Sequence, residues 1–264
     1  MAHTLAVANQ KGGVGKTSTT FHLAGAAARR GLRTLVIDAD PQGNLTSSLG
    51  PADLAADSVG LADALSPNTD ETLSDVIVQT EWEGVDLVPT TGTTLAAVQQ
   101  EIASLSLGRE HVMRQRLEQL GDTYELVLID CPPSLDALSI NAFTAASEVV
   151  VVTHADKYAG EGLIKLAGTM SQVRQFCARP DLRIAGIIFN AYDPNVKEQA
   201  HWYREINAAA EQMEIPVVHP PVPKRITLVE CTFSGTRLDL SRDRRAADLV
   251  PIFDRHLRTL HPAS

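Results

Sequence analysis

The 264-residue sequence contains no apolar run that approaches the roughly 18 to 20 residues of a membrane span. It starts Met1-Ala2-His3-Thr4 and enters an apolar segment directly, with no charged leader or cleavage-type sequence before it. Cysteine is scarce: Cys131, Cys177 and Cys231 are far apart and lack CxxC spacing, which argues against a disulfide framework and against a zinc site. We therefore expect reduced, mostly buried thiols and a cytoplasmic protein.

The sequence also lacks an excess of positive charge. Its formal net charge is −9, which argues against a protein whose whole surface coats nucleic acid. Residues 1–170 carry 10 Lys and Arg against 21 Asp and Glu, whereas residues 171–264 carry 13 against 11, so a basic face can form only in the C-terminal third. There is no internal repeat, low-complexity tract or domain linker, and we expect a single domain over residues 1–264.

Short apolar segments alternate with longer helical patterns along the chain. The segments predicted as buried strands are Leu5–Ala8, Leu35–Ile37, Val85–Val88, Leu126–Asp130, Glu148–Thr153, Ile184–Phe189 and Pro216–Val218. The segments predicted as helices are Thr17–Arg30, Thr94–Ser104, Arg109–Leu120, Asn141–Ala146, Gly162–Cys177 and Glu198–Met213. This alternation predicts an α/β fold, doubly wound, with a mostly parallel sheet flanked by helices.

Two segments are less regular. Pro51–Asp75 is rich in Asp, Ala and Ser, and we expect a mobile connection with one short helix there. Arg242–Leu260 places its apolar residues on one helical face, but Pro251 lies inside the pattern. Since proline cannot donate a backbone hydrogen bond, it should kink this last helix or delay its start.

The stretch NQKGGVGKTSTT, residues 9–20, departs from the usual phosphate-binding loop. The usual pattern has a glycine five positions before Gly15, where this chain has Gln10. Its glycines stand instead at Gly12 and Gly13, after a second lysine, Lys11. A strand, a glycine-rich loop and a helix in this order predict a cradle of backbone N–H groups for a phosphate, rather than a plain turn into a helix.

We expect Lys16 to contact the β and γ phosphates of a nucleotide and the Thr17 hydroxyl to ligate Mg²⁺. The loop residues predicted to bind nucleotide are Gly12, Gly13, Val14, Gly15, Lys16, Thr17 and Ser18.

Three carboxylates stand at the ends of apolar strands. Packing explains the charge of Asp130 poorly, so we expect it to bind a magnesium-bound water, with a helix cap as the alternative. Asp38 and Asp40 are two residues apart and point to the same side of their strand, where a cation would relieve their repulsion. We expect Asp38 near Mg²⁺ and Asp40 to orient or deprotonate the attacking water, although such pairs also form turns.

Four segments closely resemble the ParA/Soj-type partition ATPases, within the larger group that includes MinD and carries a deviant phosphate loop, the deviant Walker A motif. They are KGGVGKTSTT at 11–20, VIDADPQGN at 36–44, LIDCPPSLDALSINAFTAA at 128–146 and EGL at 161–163. The resemblance extends from Thr4 to about Arg245.

The resemblance implies a P-loop NTPase fold, ATP and Mg²⁺ as cofactors, and a homodimer that sandwiches ATP. Lys11 would be the signature lysine that crosses to the γ-phosphate held by the partner subunit, and Gly12 would let the two backbones approach. A cation supplied across an interface stabilises the transferring phosphoryl group as an arginine finger does. By the same resemblance Asp40 is the hydrolytic aspartate and Asp130 the Walker B aspartate.

The resemblance also assigns residues beyond the phosphate loop. Asn190 matches a position that often contacts adenine, and Val222–Gly235, which includes Pro223, resembles a stretch beside the base and the dimer face. Lys224 stands where arginine is usual and Cys231 where alanine is usual. These departures concern base contact and the interface rather than the phosphate loop.

The function implied is a slow DNA-segregation ATPase, associated with the nucleoid. Its ATP-bound dimer would bind DNA non-specifically, and a ParB-type adaptor would stimulate hydrolysis and release. The DNA contacts expected are Lys224, Arg225, Arg242, Arg244 and Arg245. Because acidic residues are interleaved with these, a solvated helix face is the alternative. No helix-turn-helix precedes the loop, so specific operator binding is not expected.

Two other functions share this kind of loop. A MinD-like positioner on a membrane needs a basic amphipathic tail, whereas this chain ends LRTLHPAS, so no membrane partner is expected. An ATP-driven iron–sulfur reductase needs cluster-ligating cysteines, and Cys131 lies inside an Asp-Cys-Pro-Pro motif instead. The cargo, a chromosome, a plasmid or another assembly, is left open.

Overall fold

The computed structural model describes residues 2–262, and its centre is one seven-stranded sheet. The strands are β1 (His3–Ala8), β2 (Thr34–Asp38), β3 (Val78–Gln79), β4 (Val85–Val88), β5 (Leu126–Asp130), β6 (Glu148–Thr153) and β7 (Arg183–Phe189). They lie in the order β3-β4-β2-β5-β1-β6-β7, and all neighbours are parallel except β3 and β4. The predicted mostly parallel α/β sheet is confirmed.

Helices cover both faces of the sheet. They are α1 (Lys16–Arg29), α2 (Asn44–Leu49), α3 (Leu61–Leu65), α4 (Leu73–Val76), α5 (Thr94–Ser104), α6 (Val112–Glu118), α7 (Ala137–Ala145), α8 (Ala159–Phe176), α9 (Lys197–Gln212), α10 (Ile226–Phe233), α11 (Arg244–Ala247) and α12 (Val250–Leu260). None of these helices, taken over residues 2–262, is long and apolar enough to cross a membrane.

The strands bury alternate side chains in two separate cores. Leu5 and Val7 of β1 pack on the side of α1 and α12, while Ala6 and Ala8 pack on the side of α7 and α8. This follows from the two-residue period of a strand whose two faces are both covered. The connection after β1 runs through α1 to β2, and the connection after the adjacent β5 runs the other way, through α7 to β6. The carboxyl ends of β1 and β5 therefore lie at the switch point where open α/β sheets bind ligands.

The predicted strand Pro216–Val218 is wrong. The segment makes a single parallel bridge, between Val217 and Ile187 of β7, with one hydrogen bond on each side: Ile187 N to Pro216 O at 2.8 Å and Val218 N to Ile187 O at 2.9 Å. Prolines occupy four positions of residues 216–223. Since proline has no N–H to donate, the ladder cannot continue.

The structure also differs from the predictions for the two less regular segments. Residues 51–75 contain α3 and the first part of α4, and Leu61, Leu65 and Leu73 are fully buried, so this segment belongs to the core and is not a loose connection with one helix. The antiparallel β3, which begins shortly after it, was not predicted. The last predicted helix is two helices, α11 and α12, and Pro251 lies in the first turn of α12, where no N–H is needed.

Several predicted helices have shifted ends. The largest shift is at α7, which begins at Ala137 instead of Asn141 because the Asp136 carboxylate accepts a hydrogen bond from Leu138 N at 3.1 Å and caps the helix. Helix α6 begins at Val112 instead of Arg109, and α8 begins at Ala159 instead of Gly162.

Candidate functional site

The glycine loop connects β1, an interior strand of the sheet, to the N-terminus of α1. Gly13 and Gly15 adopt left-handed backbone angles, with φ of 75° and 93°, which other residues rarely adopt. Lys11, Gly12 and Gly13 are exposed, whereas Val14 is fully buried. The loop therefore has an open outer part and a fixed inner part that leads into the helix.

Lys16, the first residue of α1, is buried with only 6% of its surface exposed. Burial lowers the pKa of its ammonium group, against the opposing charges of Asp130 and Asp40. A buried cation at a helix N-terminus, where backbone N–H groups are also free, provides a strongly attractive place for an anion.

Asp38 and Asp130 end adjacent parallel strands and lie directly opposite each other in register. Both are completely buried. Burial, reinforced by the charge of Asp38, raises the pKa of Asp130 to about 8. Burial also raises the pKa of Asp38 to about 6, although the Thr46 N–H and hydroxyl both donate to its Oδ2 at 2.7 Å. Two carboxylates are thus held together at a cost in free energy that a cation would reduce.

Hydroxyl groups from α1 reach the same carboxylates. Thr17 Oγ1 donates to Asp130 Oδ2 at 2.7 Å, and Thr20 Oγ1 lies 3.4 Å from Asp130 Oδ1. The predicted metal ligands Thr17, Asp38 and Asp130 are therefore brought together. Thr46, whose backbone and side chain both donate to Asp38, was not predicted from the sequence. The only available indication was its position eight residues after that carboxylate.

Asp40 lies at the rim of this cluster and is 8% exposed. Its Oδ1 accepts a hydrogen bond from Gln42 N at 3.0 Å, and its own N–H lies 3.3 Å from Asp38 Oδ1. The sequence also allowed Asp40 to be a turn-forming acid. The structure shows that it stabilises the turn that leads into α2. These two contacts hold the Asp40 carboxylate beside Asp38.

Lys11 occupies a different environment from Lys16. Its Nζ lies 2.6 Å from Asp156 Oδ2 and 5.7 Å from the centre of the Tyr158 ring, and 44% of its side chain is exposed. Its backbone N–H donates to Asn9 Oδ1 at 2.9 Å. Asp156 precedes α8 and was not predicted; its position in THADKYAGEGL, just beyond the end of β6, was the available signal.

Helix α10 packs against α1, the helix that follows the glycine loop. Ser18 Oγ lies 3.1 Å from Thr232 Oγ1, and the His22 ring donates from Nε2 to the Leu228 carbonyl at 3.2 Å. Burial lowers the pKa of His22 to about 3, so this imidazole is neutral. Sequence reasoning missed His22 and Thr232, since a threonine and a histidine on helical faces carry no distinctive pattern.

Of the two residues expected beside the base, Asn190 contacts the loop, and Pro223 is joined to the chain just after Asn190. The Asn190 side chain contacts the loop backbone, donating from Nδ2 to Val14 O at 2.8 Å. Pro223 forms a parallel bridge with Tyr192, two residues after Asn190. The segment that carries Pro223 is thus joined to the end of β7.

The predicted DNA contacts are all exposed and fall on two neighbouring segments. Lys224 and Arg225 precede α10, and Arg242, Arg244 and Arg245 surround the start of α11. A hydrogen bond of 2.7 Å from Thr227 Oγ1 to Asp243 Oδ2 joins the segments. Arg245 is also paired with Asp243, with Nη2 and Oδ2 separated by 3.0 Å, so part of this basic charge is neutralised.

The three cysteines are free and buried, as predicted. Over residues 2–262, no group of three or more His, Cys, Asp or Glu side chains is arranged to hold a metal ion. The two carboxylates and the Thr17 hydroxyl are oxygen donors, which suit a hard cation that keeps most of its water.

Known proteins are similar to this chain over most of its length. A family model described as an AAA domain matches residues 2–184. The sporulation initiation inhibitor protein Soj of Bacillus subtilis is 34% identical over 235 residues, which cover 89% of each chain. The chromosome partitioning protein ParA of Caulobacter vibrioides is 36% identical over 252 residues, covering 90% of this chain and 92% of that protein.

A solved structure has the same architecture. The crystal structure of cobyrinic acid a,c-diamide synthase from Mycobacterium smegmatis, with bound ATP analog and magnesium, matches with a TM-score of 0.75 at 34% identity. The match covers 89% of this chain and 92% of that one.

Proposed function

The chain belongs to the ParA/Soj family of P-loop ATPases, and from this premise we propose that it binds ATP with Mg²⁺ and hydrolyses the nucleotide within an ATP-bound dimer. The dimer acts on DNA, and a ParB-type adaptor controls its turnover.

The site residues fit a magnesium nucleotide. The left-handed Gly13 and Gly15 shape the turn into α1, where backbone N–H groups would bind a phosphate, and Lys16 is buried at the helix N-terminus. Thr17, with Asp38 and Asp130, would hold Mg²⁺ directly or through water, and the ion would neutralise charge on the β and γ phosphates.

The contrast between the two loop lysines carries the dimer proposal. Lys16 is 6% exposed and belongs to its own phosphate site. The Lys11 side chain is 44% exposed and is bound to Asp156, a carboxylate outside the cradle. An ammonium held by one exposed ion pair can exchange that carboxylate for a stronger anion, because exposed pairs contribute only about 0.2–1 kcal/mol. We assign that anion as the γ-phosphate bound by a second copy.

Asp40 is assigned to the hydrolytic step. Its carboxylate lies next to the metal-binding acids and is oriented by the Gln42 N–H. Phosphoryl transfer needs little covalent participation by the protein, and positioning dominates. Asp40 therefore orients the attacking water by accepting one of its protons in a hydrogen bond.

The DNA proposal rests on the exposed basic residues beside α10 and α11, together with the ParA relatives. Such contacts act mainly on phosphates and carry no sequence information. The adaptor is proposed from the relationship alone, and we place the protein on the nucleoid in the cytoplasm for the same reason.

The alternatives receive less support from the described residues. A membrane-bound MinD-like role needs a free amphipathic helix, but Phe253, Leu257 and Leu260 of α12 are buried in the core. An iron–sulfur role needs accessible thiols, and all three cysteines are buried. An amide synthesis like that named for the Mycobacterium smegmatis protein would require a carboxylate acceptor, so phosphate release without any acceptor discriminates against it.

Light scattering and phosphate release on three proteins test the proposal: the wild type, Lys11→Ala and the control Lys157→Ala, which removes an exposed lysine next to Asp156. The wild type and the control should dimerise with ATP, and Lys11→Ala should bind nucleotide but stay monomeric. Wild-type dimerisation by Lys11→Ala would contradict the role given to this lysine.

A further inference from the structure

His261, which follows α12, joins the ends of three elements at the amino edge of the sheet. Its ring Nδ1 lies 2.9 Å from Nδ1 of His3, the first residue of β1. Its carbonyl accepts from Arg30 Nη1, just after α1, at 3.3 Å, and its N–H donates to Leu257 O at 2.7 Å. Since the glycine loop connects β1 to α1, His261 contacts the ends of both elements that are opposite to the loop.

The hydrogen bonds of His3 limit the number of protons that the two rings can hold. Its Nε2 lies 3.0 Å from Glu148 Oε2, and the other oxygen of that carboxylate accepts from Arg183 Nε at 2.5 Å. A carboxylate bound to a guanidinium only accepts, so His3 Nε2 carries a hydrogen. Between the two Nδ1 atoms there is room for one hydrogen, because one nitrogen donates and the other accepts with its lone pair. The pair in contact therefore carries one positive charge at most.

The surroundings of the pair do not favour a second positive charge. The two rings are stacked, with their centres 5.2 Å apart, and they line a cavity of about 700 Å³. Burial, reinforced by His3 and Arg30, lowers the pKa of His261. The charged groups around the pair and its cavity are three arginines and three glutamates: Arg30, Arg174, Arg183, Glu125, Glu148 and Glu214. Because these charges balance, they supply no net negative charge to hold a second proton.

We propose that His3 and His261 form a clasp that is closed while the pair carries at most one positive charge and opens when both rings are protonated. With both rings protonated, two N–H groups would point at each other across the 2.9 Å contact. The end of α12 would then separate from the edge of β1. The clasp lies at the edge of the sheet opposite to Asp38 and Asp130, so the proposal does not depend on nucleotide binding.

The sign of the pH dependence follows from the number of protons bound. An unfolded chain protonates both rings near pH 6.5, whereas the closed clasp takes up one proton fewer. The clasp therefore contributes stability that is present above about pH 6.5 and is lost as the pH falls. The raised pKa values of Asp38 and Asp130 give a change of the opposite sign, so the test has to observe the clasp locally.

The test follows methionine methyl groups by NMR as the pH falls from about 8 to about 4.5, the range in which histidine titrates. Met170 and Met213 line the cavity beside the clasp. In the wild type their signals should shift together with the second protonation of the pair. The signal of Met113, which is fully buried in the core and does not line this cavity, should stay in place and so exclude general unfolding.

His261→Gln should keep the clasp closed in acid. Glutamine takes up no proton in this range, and its amide can donate to His3 or accept from it. The signals of Met170 and Met213 should therefore stay at their neutral-pH positions. His201→Gln is the matched control, since it removes an exposed histidine of α9, and its methyl signals should shift as in the wild type.

The ring nitrogens provide a second readout on the wild type, which decides the question even if a variant does not fold. Their ¹⁵N signals should show that His3 and His261 titrate as a coupled pair in two steps. In His3→Gln, His261 should titrate in one step with a raised pKa, because glutamine accepts from the protonated ring. Independent titration of the two wild-type rings would overturn the proposal, as would an acid shift of Met213 in His261→Gln equal to that of the wild type.

Discussion

Replacing Asp156 should make the ATP-bound dimer form more readily. In the single chain, Asp156 Oδ2 lies 2.6 Å from Lys11 Nζ, and the Tyr158 N–H donates to the other carboxylate oxygen at 3.0 Å. If Lys11 must reach the phosphate of a partner, each subunit has to break this ion pair before the dimer closes. The carboxylate then competes with dimerisation, and Asp156→Asn removes the competitor.

The size of the effect follows from the exposure of the pair. The side chains of Lys11 and Asp156 are 44% and 32% exposed, so the pair belongs to the class that contributes about 0.2–1 kcal/mol. Two pairs break in every dimer, which gives about 0.4–2 kcal/mol, or a dimer dissociation constant lowered by roughly 2- to 30-fold. The backbone should change little, because asparagine can still accept from Tyr158 N.

The assay is analytical ultracentrifugation with saturating ATP and Mg²⁺. All the proteins compared carry the same substitution that slows ATP hydrolysis, so that the ATP-bound state persists during the run. Glu161→Gln is the matched control, since it removes the same charge from the first turn of α8, the helix that follows Asp156. Asp156→Asn should dimerise at lower protein concentration than both the wild type and this control. If it dimerises no more readily than Glu161→Gln, or less readily than the wild type, the competition between Asp156 and the phosphate is refuted.

Three further predictions concern the acids and the basic surface. Because burial raises the pKa of Asp130 to about 8 and that of Asp38 to about 6, the folded nucleotide-free protein should lose stability as pH rises from about 4 to 8, and Asp130→Asn should raise Tm at pH 8 and reduce that loss. Asp40→Ala should bind ATP and stay dimeric, with phosphate release lowered about 100-fold or more, as measured in single-turnover assays. DNA affinity should fall about 10-fold or more between 50 and 200 mM salt in filter binding, and a flat response would exclude phosphate contacts.

The strands and the acidic residues of the site could be predicted from the sequence for a physical reason. Strands buried on both faces must be continuously apolar, so a carboxylate at the end of such a strand is conspicuous. Asp38 and Asp130 were identified in this way, and the structure places them opposite each other. The register that pairs them could not be read from the sequence, since it depends on which strands become neighbours.

The rest depended on tertiary packing. Asp156 and Thr46 are ordinary polar residues in loop and helix segments, and their roles come from groups 145 residues and 8 residues away along the chain. The apolar Pro216–Val218 met the composition of a strand, but its prolines left only one bridge to β7. Leu61 and Leu73 lie in a polar segment whose average composition concealed the burial of its leucines.

The burial of all three cysteines determines how the molecule can be labelled. Cys131, Cys177 and Cys231 are 0%, 7% and 3% exposed, and burial raises the pKa of each thiol, so maleimide reagents should find no reactive partner among the described residues. A single thiol introduced on α10 by Val229→Cys, at a position that is 64% exposed, would carry a dye selectively without any cysteine being removed first. Since α10 contacts the helix of the phosphate loop, that dye is placed to report on nucleotide arrival in a native background.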